Sequence, residues 1–398
     1  MRVYKMRNIR YKEGMAILSG DNANVTERKV ETLSVRLVPE DDGAAVPVQS
    51  PKVVQRFGVC SGKETTENLK RMCDAAETQK MIDLREATAM RIFVCGDWMF
   101  HVRLLNHVAP NTPNRFCYLC DCKKCNIYGN PYASPSIDTD ILSFVGRCVT
   151  VPMDRWVQDS MHLLKVCTTH MLEATYMHIY MYAPHVMDEF VGITSDFFTY
   201  GEEVDIAKCE AFLGLCNHPP SQSTKYRWGH LCDAISILFP RCKLVFDKRG
   251  PPAQATWCRH PYRLWWSSFV KNMYCAYERQ PSDAQIEQFQ TNNVRWHVLW
   301  IYMFSKPAHA SHANVGDPSI IGKCFTPYCH SLVRHCDVFL RKYRTMYYFM
   351  QKCVEHAHKQ TRKDFNSLRP AGTTKAAKHV LRVGELDRVL QRMGRLPV

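Results

Sequence analysis

The sequence predicts an α/β chain in which a mixed sheet is interrupted by a large, mainly helical insertion. Three observations predict it. Short apolar or alternating runs crowd residues 14–60 and return at 90–95, as strands require. Residues 65–87 are rich in helix formers and contain no Pro or Gly. From 126 to 325 short helical patterns alternate with breaks at Pro131, Pro135, Pro219-Pro220 and Pro251-Pro252.

Taken in order, Met15-Ala16-Ile17-Leu18 is a short apolar strand, and Ser19-Gly20-Asp21-Asn22 reads as the turn that ends it. Thr32 to Val38 alternates polar and apolar, Asp41-Asp42-Gly43 breaks the chain, and Val53 to Val59 makes a third strand. Three strands in sequence predict an antiparallel meander. A helix over 65–87 follows. Met90 to Cys95 is a compact apolar strand ending in Gly96-Asp97, and Trp98 to His107 reads as helix. Three strands, a helix, a strand and a helix is the order of an RNase H-like core. In that layout the first and fourth strands are neighbours, so Asp21 and Asp97 at their ends can meet. Two carboxylates held together repel, and a divalent cation relieves the repulsion. The plainer reading, a solvated turn aspartate after glycine, stands beside it.

The aromatics of the insertion, among them Trp257, Trp265, Trp266 and Trp296, are read first as core and second as platforms for flipped bases. Residues 332–368 predict a long helical stretch ending before Pro370. The expected organisation is therefore 1–125 as the first part of the core, 126–325 as the insertion, 326–368 as the helix completing the core, and 369–398 as a basic tail.

Composition narrows the function classes. Lys and Arg number 52 against 38 Asp and Glu, a formal charge of +14 that favours a polyanionic partner. Lys359, Arg362, Lys363 and Arg382 are candidates for phosphate contact. The 19 cysteines are odd in number and irregularly spaced, and no apolar signal segment follows the basic start, so a disulfide framework is not expected. Apolar runs such as Trp300 to Phe304 are too short to cross a bilayer. A reducing, intracellular setting without a membrane partner is the expectation.

In that setting close Cys and His pairs point to metal. Cys117 and Cys120 form a C-x2-C pair, and His330 and His335 an H-x4-H pair, spacings that suit one tetrahedral zinc. About 210 residues separate the pairs, far beyond the roughly 12–15 of a small zinc finger. Cys122 and Cys125 repeat the C-x2-C spacing, so a local site of four thiolates from Cys117 to Cys125 is an equal rival on spacing alone.

Gly96-Asp97 followed by Phe116-Cys117-Tyr118-Leu119-Cys120-Asp121 resembles the catalytic core of the V(D)J recombinase and its transposon relatives, the Transib group included. Val151-Pro152 through Gln158-Asp159-Ser160-Met161-His162-Leu163 is similar to a segment of that family ending in Asp-x-x-His-Leu. Thr326 to His335 resembles its His-x4-His element, with Glu355 standing 20 residues beyond His335. Leu18 to Asn24 is a weaker match to a first-acid turn. The resemblance spans roughly residues 14–365 as short motifs in matching order.

The resemblance implies a DDE-type transposase or recombinase with an RNase H-like core, zinc-stapled through Cys117, Cys120, His330 and His335. It implies Asp21, Asp97 and Glu355 as the acids that hold two Mg²⁺ or Mn²⁺ ions, with His162 assisting near the scissile phosphate or serving as a buried structural residue. It implies double-stranded DNA (transposon ends and target) as partner, a nuclear location, and a homodimer when active. Departures from the family pattern are Asn22-Ala23-Asn24 after the first acid, His358 after the third, and Lys165 in place of Arg. Only 20 residues precede Asp21, where relatives carry a long DNA-binding region. These departures keep open a shortened or domesticated, catalytically inactive DNA-binding or interaction protein.

Overall fold

The computed structural model describes residues 11–25, 28–39, 54–61, 65–87, 90–107, 117–122, 132–163, 166–168, 170–171, 174, 261–304, 326–351, 353–354 and 357. The chain divides into two compact units, one formed by 1–121, 137–159 and 348–398 and the other by 122–136 and 160–347.

The first unit is built on a mixed five-stranded sheet. Its strands are β1 (Tyr11–Val25), β2 (Arg28–Pro39), β3 (Val54–Ser61), β4 (Arg91–Gly96) and β5 (Trp156–Gln158), in the spatial order β3-β2-β1-β4-β5. The first three run antiparallel as a meander. β4 lies parallel to both β1 and β5. Ile92, Phe93, Val94 and Cys95 are all buried, the continuous apolar pattern of a strand covered on both faces.

Helices α1 (Thr66–Ala75), α2 (Thr78–Ala87) and α3 (Trp98–Leu104) connect and cover the strands. Thr65 caps α1 by accepting the Asn68 N–H at 3.1 Å. The expected single helix over 65–87 is two. Glu77 takes a left-handed φ of 48°, and the last turn of α1 closes with Ala76 N–H to Met72 O and Glu77 N–H to Asp74 O. The break lets Leu69, Met72 and Cys73 of α1 and Ile82 of α2 all be buried.

Two strands differ from expectation. β1 does not end at the Ser19–Asn22 cluster. Its ladder with β2 runs from Ala16↔Leu37 through Asp21↔Thr32 to Val25↔Arg28, so paired backbone groups override the local turn preference. β5 falls within 126–325, which the sequence assigned to helical insertion. Trp156, Val157 and Gln158 are buried and pair with Val94, Cys95 and Gly96.

The second unit is helical in its described residues, apart from turns. α4 (Pro261–Tyr277) and α5 (Asp283–Phe304) form a hairpin joined through 278–282. Ser282 and Gln285 make a capping box. The Ser282 hydroxyl accepts the Gln285 N–H at 3.3 Å, and the Gln285 amide oxygen accepts the Ser282 N–H at 2.7 Å. Between the two helices Trp265, Phe269, Trp296 and Trp300 pack ring on ring, with Trp265–Trp300 and Trp296–Trp300 centroids both 5.0 Å apart. Trp265, Trp266 and Trp296 are fully buried, so they are core residues and present no face to a base.

α6 (Pro327–Arg334) and α7 (Cys336–Tyr343) follow. The long helix expected over 332–368 is interrupted at His335 and ends at Arg344, whose φ of 64° closes α7 with its N–H on Leu340 O at 2.8 Å.

Candidate functional site

The two expected Gly-Asp steps stand on adjacent parallel strands. β1 and β4 pair from Met15↔Arg91 to Leu18↔Val94. The paired residues end two positions before Gly20 on β1 and two before Gly96 on β4. The ring of Phe100, from the first turn of α3, covers both glycines. A Cβ on Gly20 would meet Phe100 Cε2 at 2.1 Å, and one on Gly96 would meet Phe100 Cδ1 at 2.2 Å. Both positions need glycine because an aromatic ring occupies the space a side chain would take.

Asp97 is the N-cap of α3, with φ −66° and ψ 170°. Its Oδ1 accepts the Phe100 N–H at 2.6 Å, and the side chain is partly exposed. Asp21 lies in the body of β1, one residue past Gly20. Glu355 falls outside the described residues, as do Lys359, Arg362, Lys363, Arg382, Lys165 and His358. His162 is half-buried in the helical turn that follows β5.

Cys117, Cys120, His330 and His335 form a buried cluster whose ligand atoms all lie within 4.8 Å of one another. It is the one such Cys/His/Asp/Glu group among the described residues that could hold a metal ion. Cys122 is not a member, and Cys125 lies outside the described residues.

Local structure explains how each pair comes to a point. The Leu119 N–H donates to Cys117 Sγ at 3.3 Å, curling the C-x2-C loop so that both sulfurs face one way. His330 and His335 are five residues apart, which on a continuous helix would point them about 140° apart. The break at His335, with φ −122° and ψ −33°, brings the two rings to 5.1 Å between centroids.

The residues present fit a tetrahedral zinc. Two thiols and two imidazoles are a common structural donor set, and such a site separates its donor atoms by about 3.3–3.8 Å. His335 Nδ1 lies 2.7 Å from the Ser136 carbonyl. A carbonyl only accepts, so Nδ1 carries the proton and Nε2 is left as the metal-binding nitrogen. Ser136 is itself held by its N–H on Arg334 O at 3.1 Å. Burial, and the thiol of Cys120 beside it, raise the Cys117 pKa well above its usual value without metal, so binding must displace protons.

Two buried networks were missed from sequence. In the first, Tyr118, between the two cysteines, has its hydroxyl against His101 Nδ1 and donates to Gln158 Oε1 at 3.3 Å. Gln158 in turn donates to Gly96 O at 3.4 Å, next to Asp97. Burial drives the His101 pKa down to about 3, so this imidazole is neutral. In the second, Arg36, Asp159 and Gln351 tie the segment 348–353 to the sheet. Nothing in spacing marks such residues. The hints are Gln158 and Asp159 inside the family-like segment and an arginine, Arg36, in the polar phase of an alternating strand.

No known protein-family model matches the chain, and no curated protein sequence matches it.

Proposed function

We propose that the chain carries the catalytic core of a DDE-type DNA transposase or recombinase with an RNase H-like fold, as its resemblance to the V(D)J recombinase implies. The observation that carries this reading is the pairing of β1 with β4. The two strands pair in parallel up to Leu18 and Val94, and Gly20 and Gly96, each followed by an aspartate in sequence, lie under the one ring of Phe100. The strand order β3-β2-β1-β4-β5, with β2 alone running opposite to the other four strands, supports it. The +14 charge supports a nucleic-acid substrate.

On this reading Asp21, Asp97 and Glu355 are the carboxylates of the site. Two Mg²⁺ or Mn²⁺ ions held there would supply an activated water or 3′-hydroxyl and neutralise the leaving 3′-oxygen. The chain's own part is placement. Gly20 on β1 and Gly96 on β4 leave room for Phe100, and the Asp97 carboxylate is held as the cap of α3. No Ser or Tyr nucleophile is required, because hydrolysis and strand transfer differ only in the attacking hydroxyl. Zinc on Cys117, Cys120, His330 and His335 is structural on this reading, joining segments remote in sequence.

The test is nicking of supercoiled plasmid by purified full chain in Mg²⁺ or Mn²⁺, with joining of a pre-cut 3′-hydroxyl end as a second arm. The reading expects metal-dependent product that Glu355→Gln and Asp97→Asn abolish. Salt-sensitive DNA binding with no product in either arm would replace it with a domesticated, non-catalytic DNA-binding protein.

A further inference from the structure

The segment 348–354 is buried deeply enough to be held by apolar contact alone, since Phe349, Met350, Cys353 and Val354 are at most 1 % exposed. It nevertheless carries a set of polar anchors that apolar packing does not need. Arg36, on β2 and 1 % exposed, donates from its guanidinium to the carbonyls of Tyr348 and Met350, the latter at 3.2 Å. The same group reaches Cys353 Sγ at 3.2 Å. Asp159, fully buried at the end of β5, accepts the Gln351 backbone N–H at 3.0 Å. The Gln351 side chain donates to Cys95 O on β4, and the Cys95 thiol donates to Phe349 O at 2.9 Å.

Burying a guanidinium and a carboxylate is costly, and apolar residues of similar volume would hold the segment at least as tightly. What the charges add is direction. An apolar contact lets a segment slide and rotate, whereas bonds to successive backbone groups at 348, 350 and 351 fix its register and its heading. The anchors converge on the strand end that carries Asp97. Gln351 binds the carbonyl of Cys95, two residues before Asp97, and the Asp159 N–H donates to Gly96 O at 3.2 Å. On the other side the anchored residues run up to Val354, immediately before Glu355 in sequence. Cys353, Val354 and Ala357 are buried, the i, i+1, i+4 positions of one helix face.

We propose that Arg36 and Asp159 are positioning residues that hold residues 348–351 in one register and, through Gln351 on Cys95 O, fix the end of β4 that leads into Asp97. This rests on the transposase reading above. Asp159 acts here through its acceptor oxygen on Gln351, not as a ligand. An amide at that position should therefore serve nearly as well as the acid, and a methyl group should not.

The experiment uses full-length chain and measures the Mn²⁺ concentration for half-maximal plasmid nicking, turnover, DNA affinity and melting temperature. Asp159→Ala and Arg36→Met should raise the metal requirement at least 10-fold and lower turnover, with DNA affinity unchanged. Asp159→Asn and Arg36→Lys should recover most of the loss. Should Asp159→Ala or Arg36→Met not fold, Gln351→Leu, which removes only the bond to Cys95 O, should still raise the metal requirement several-fold. Variants that melt earlier yet keep the wild-type metal requirement overturn the proposal and leave these residues a purely structural role. Loss of nicking in Asp159→Asn equal to that in Asp159→Ala also overturns it, because the carboxylate would then act directly. Absence of nicking by the wild-type chain is a different failure: it removes the transposase reading, and this inference with it.

Discussion

Gly20 and Gly96 lie under one aromatic ring, each within about 2 Å of Phe100 at the point where a Cβ would stand. Each glycine is followed in sequence by an aspartate, Asp21 in the body of β1 and Asp97 at the cap of α3. Any side chain at either glycine must displace Phe100, whose own N–H is held by Asp97.

Gly96→Ala should therefore destabilise the fold by about 1–3 kcal/mol, the usual range for overpacking a filled site. Combining it with Phe100→Leu should recover part of that loss, because the two changes share one volume. Urea melts of the single and double variants check this. Additive losses would place the ring elsewhere.

Asp97→Asn should separate folding from chemistry. Asn caps helices as well as Asp, so stability should change by less than about 1 kcal/mol, whereas Asp97→Ala should cost roughly 0.5–2 kcal/mol. Both should abolish metal-dependent nicking. Thermal melts and the plasmid assay, read together, distinguish a carboxylate that only caps from one that also binds metal.

Mass spectrometry of the native chain should find one zinc per molecule, bound by Cys117, Cys120, His330 and His335. Cys117→Ser or His335→Ala should release it, and Cys122→Ser should not. Chelation should lower the melting temperature, since metal binding contributes to folding. Full zinc content in Cys117→Ser would point back to the local cysteine set.

His101 makes stability depend on pH in a calculable direction. Burial lowers its pKa from the usual 6.5 to about 3. Between those values the unfolded chain takes up a proton that the folded chain refuses. The stabilisation is complete above pH 6.5 and is lost as pH falls toward 3, with a slope approaching ~1.4 kcal/mol per pH unit. His101→Gln should flatten the fall in stability between pH 6.5 and 4.5 in urea melts. Equal slopes for both proteins would mean that folded His101 titrates normally.

The legible parts of the fold were those with a repeating local pattern. Alternation over Thr32–Val38 and the apolar run at Met90–Cys95 marked β2 and β4, and three strands before the first helix marked the meander. Other features had no local signature. The break at Glu77 has neither Gly nor Pro, because hydrogen bonds of the closing turn hold a glutamate at positive φ. β5 is three residues long and owes its conformation to pairing with β4. The Ser19–Asn22 cluster looked like a turn, but the β2 partner carries the strand through it. At the candidate metal centre, spacing identified the two pairs but left Cys122 and Cys125 equally eligible. The resemblance favoured Cys117 and Cys120 with His330 and His335, and these four are the ones that cluster. The bonds of Arg36 and Gln351, and the role of Asp159 beyond its place in the family-like segment, could not be read, since their partners lie in segments remote in sequence.

The most direct test of the central claim is an anomalous-scattering map from crystals of the full chain grown with zinc and soaked in Mn²⁺. The account predicts manganese peaks about 3.5–4 Å apart beside the C-terminal end of β4, ligated by Asp21, Asp97 and Glu355. A separate zinc peak should lie on Cys117, Cys120, His330 and His335. Manganese absent from Asp21 and Asp97 at saturating concentration, or bound there without Glu355, would contradict it.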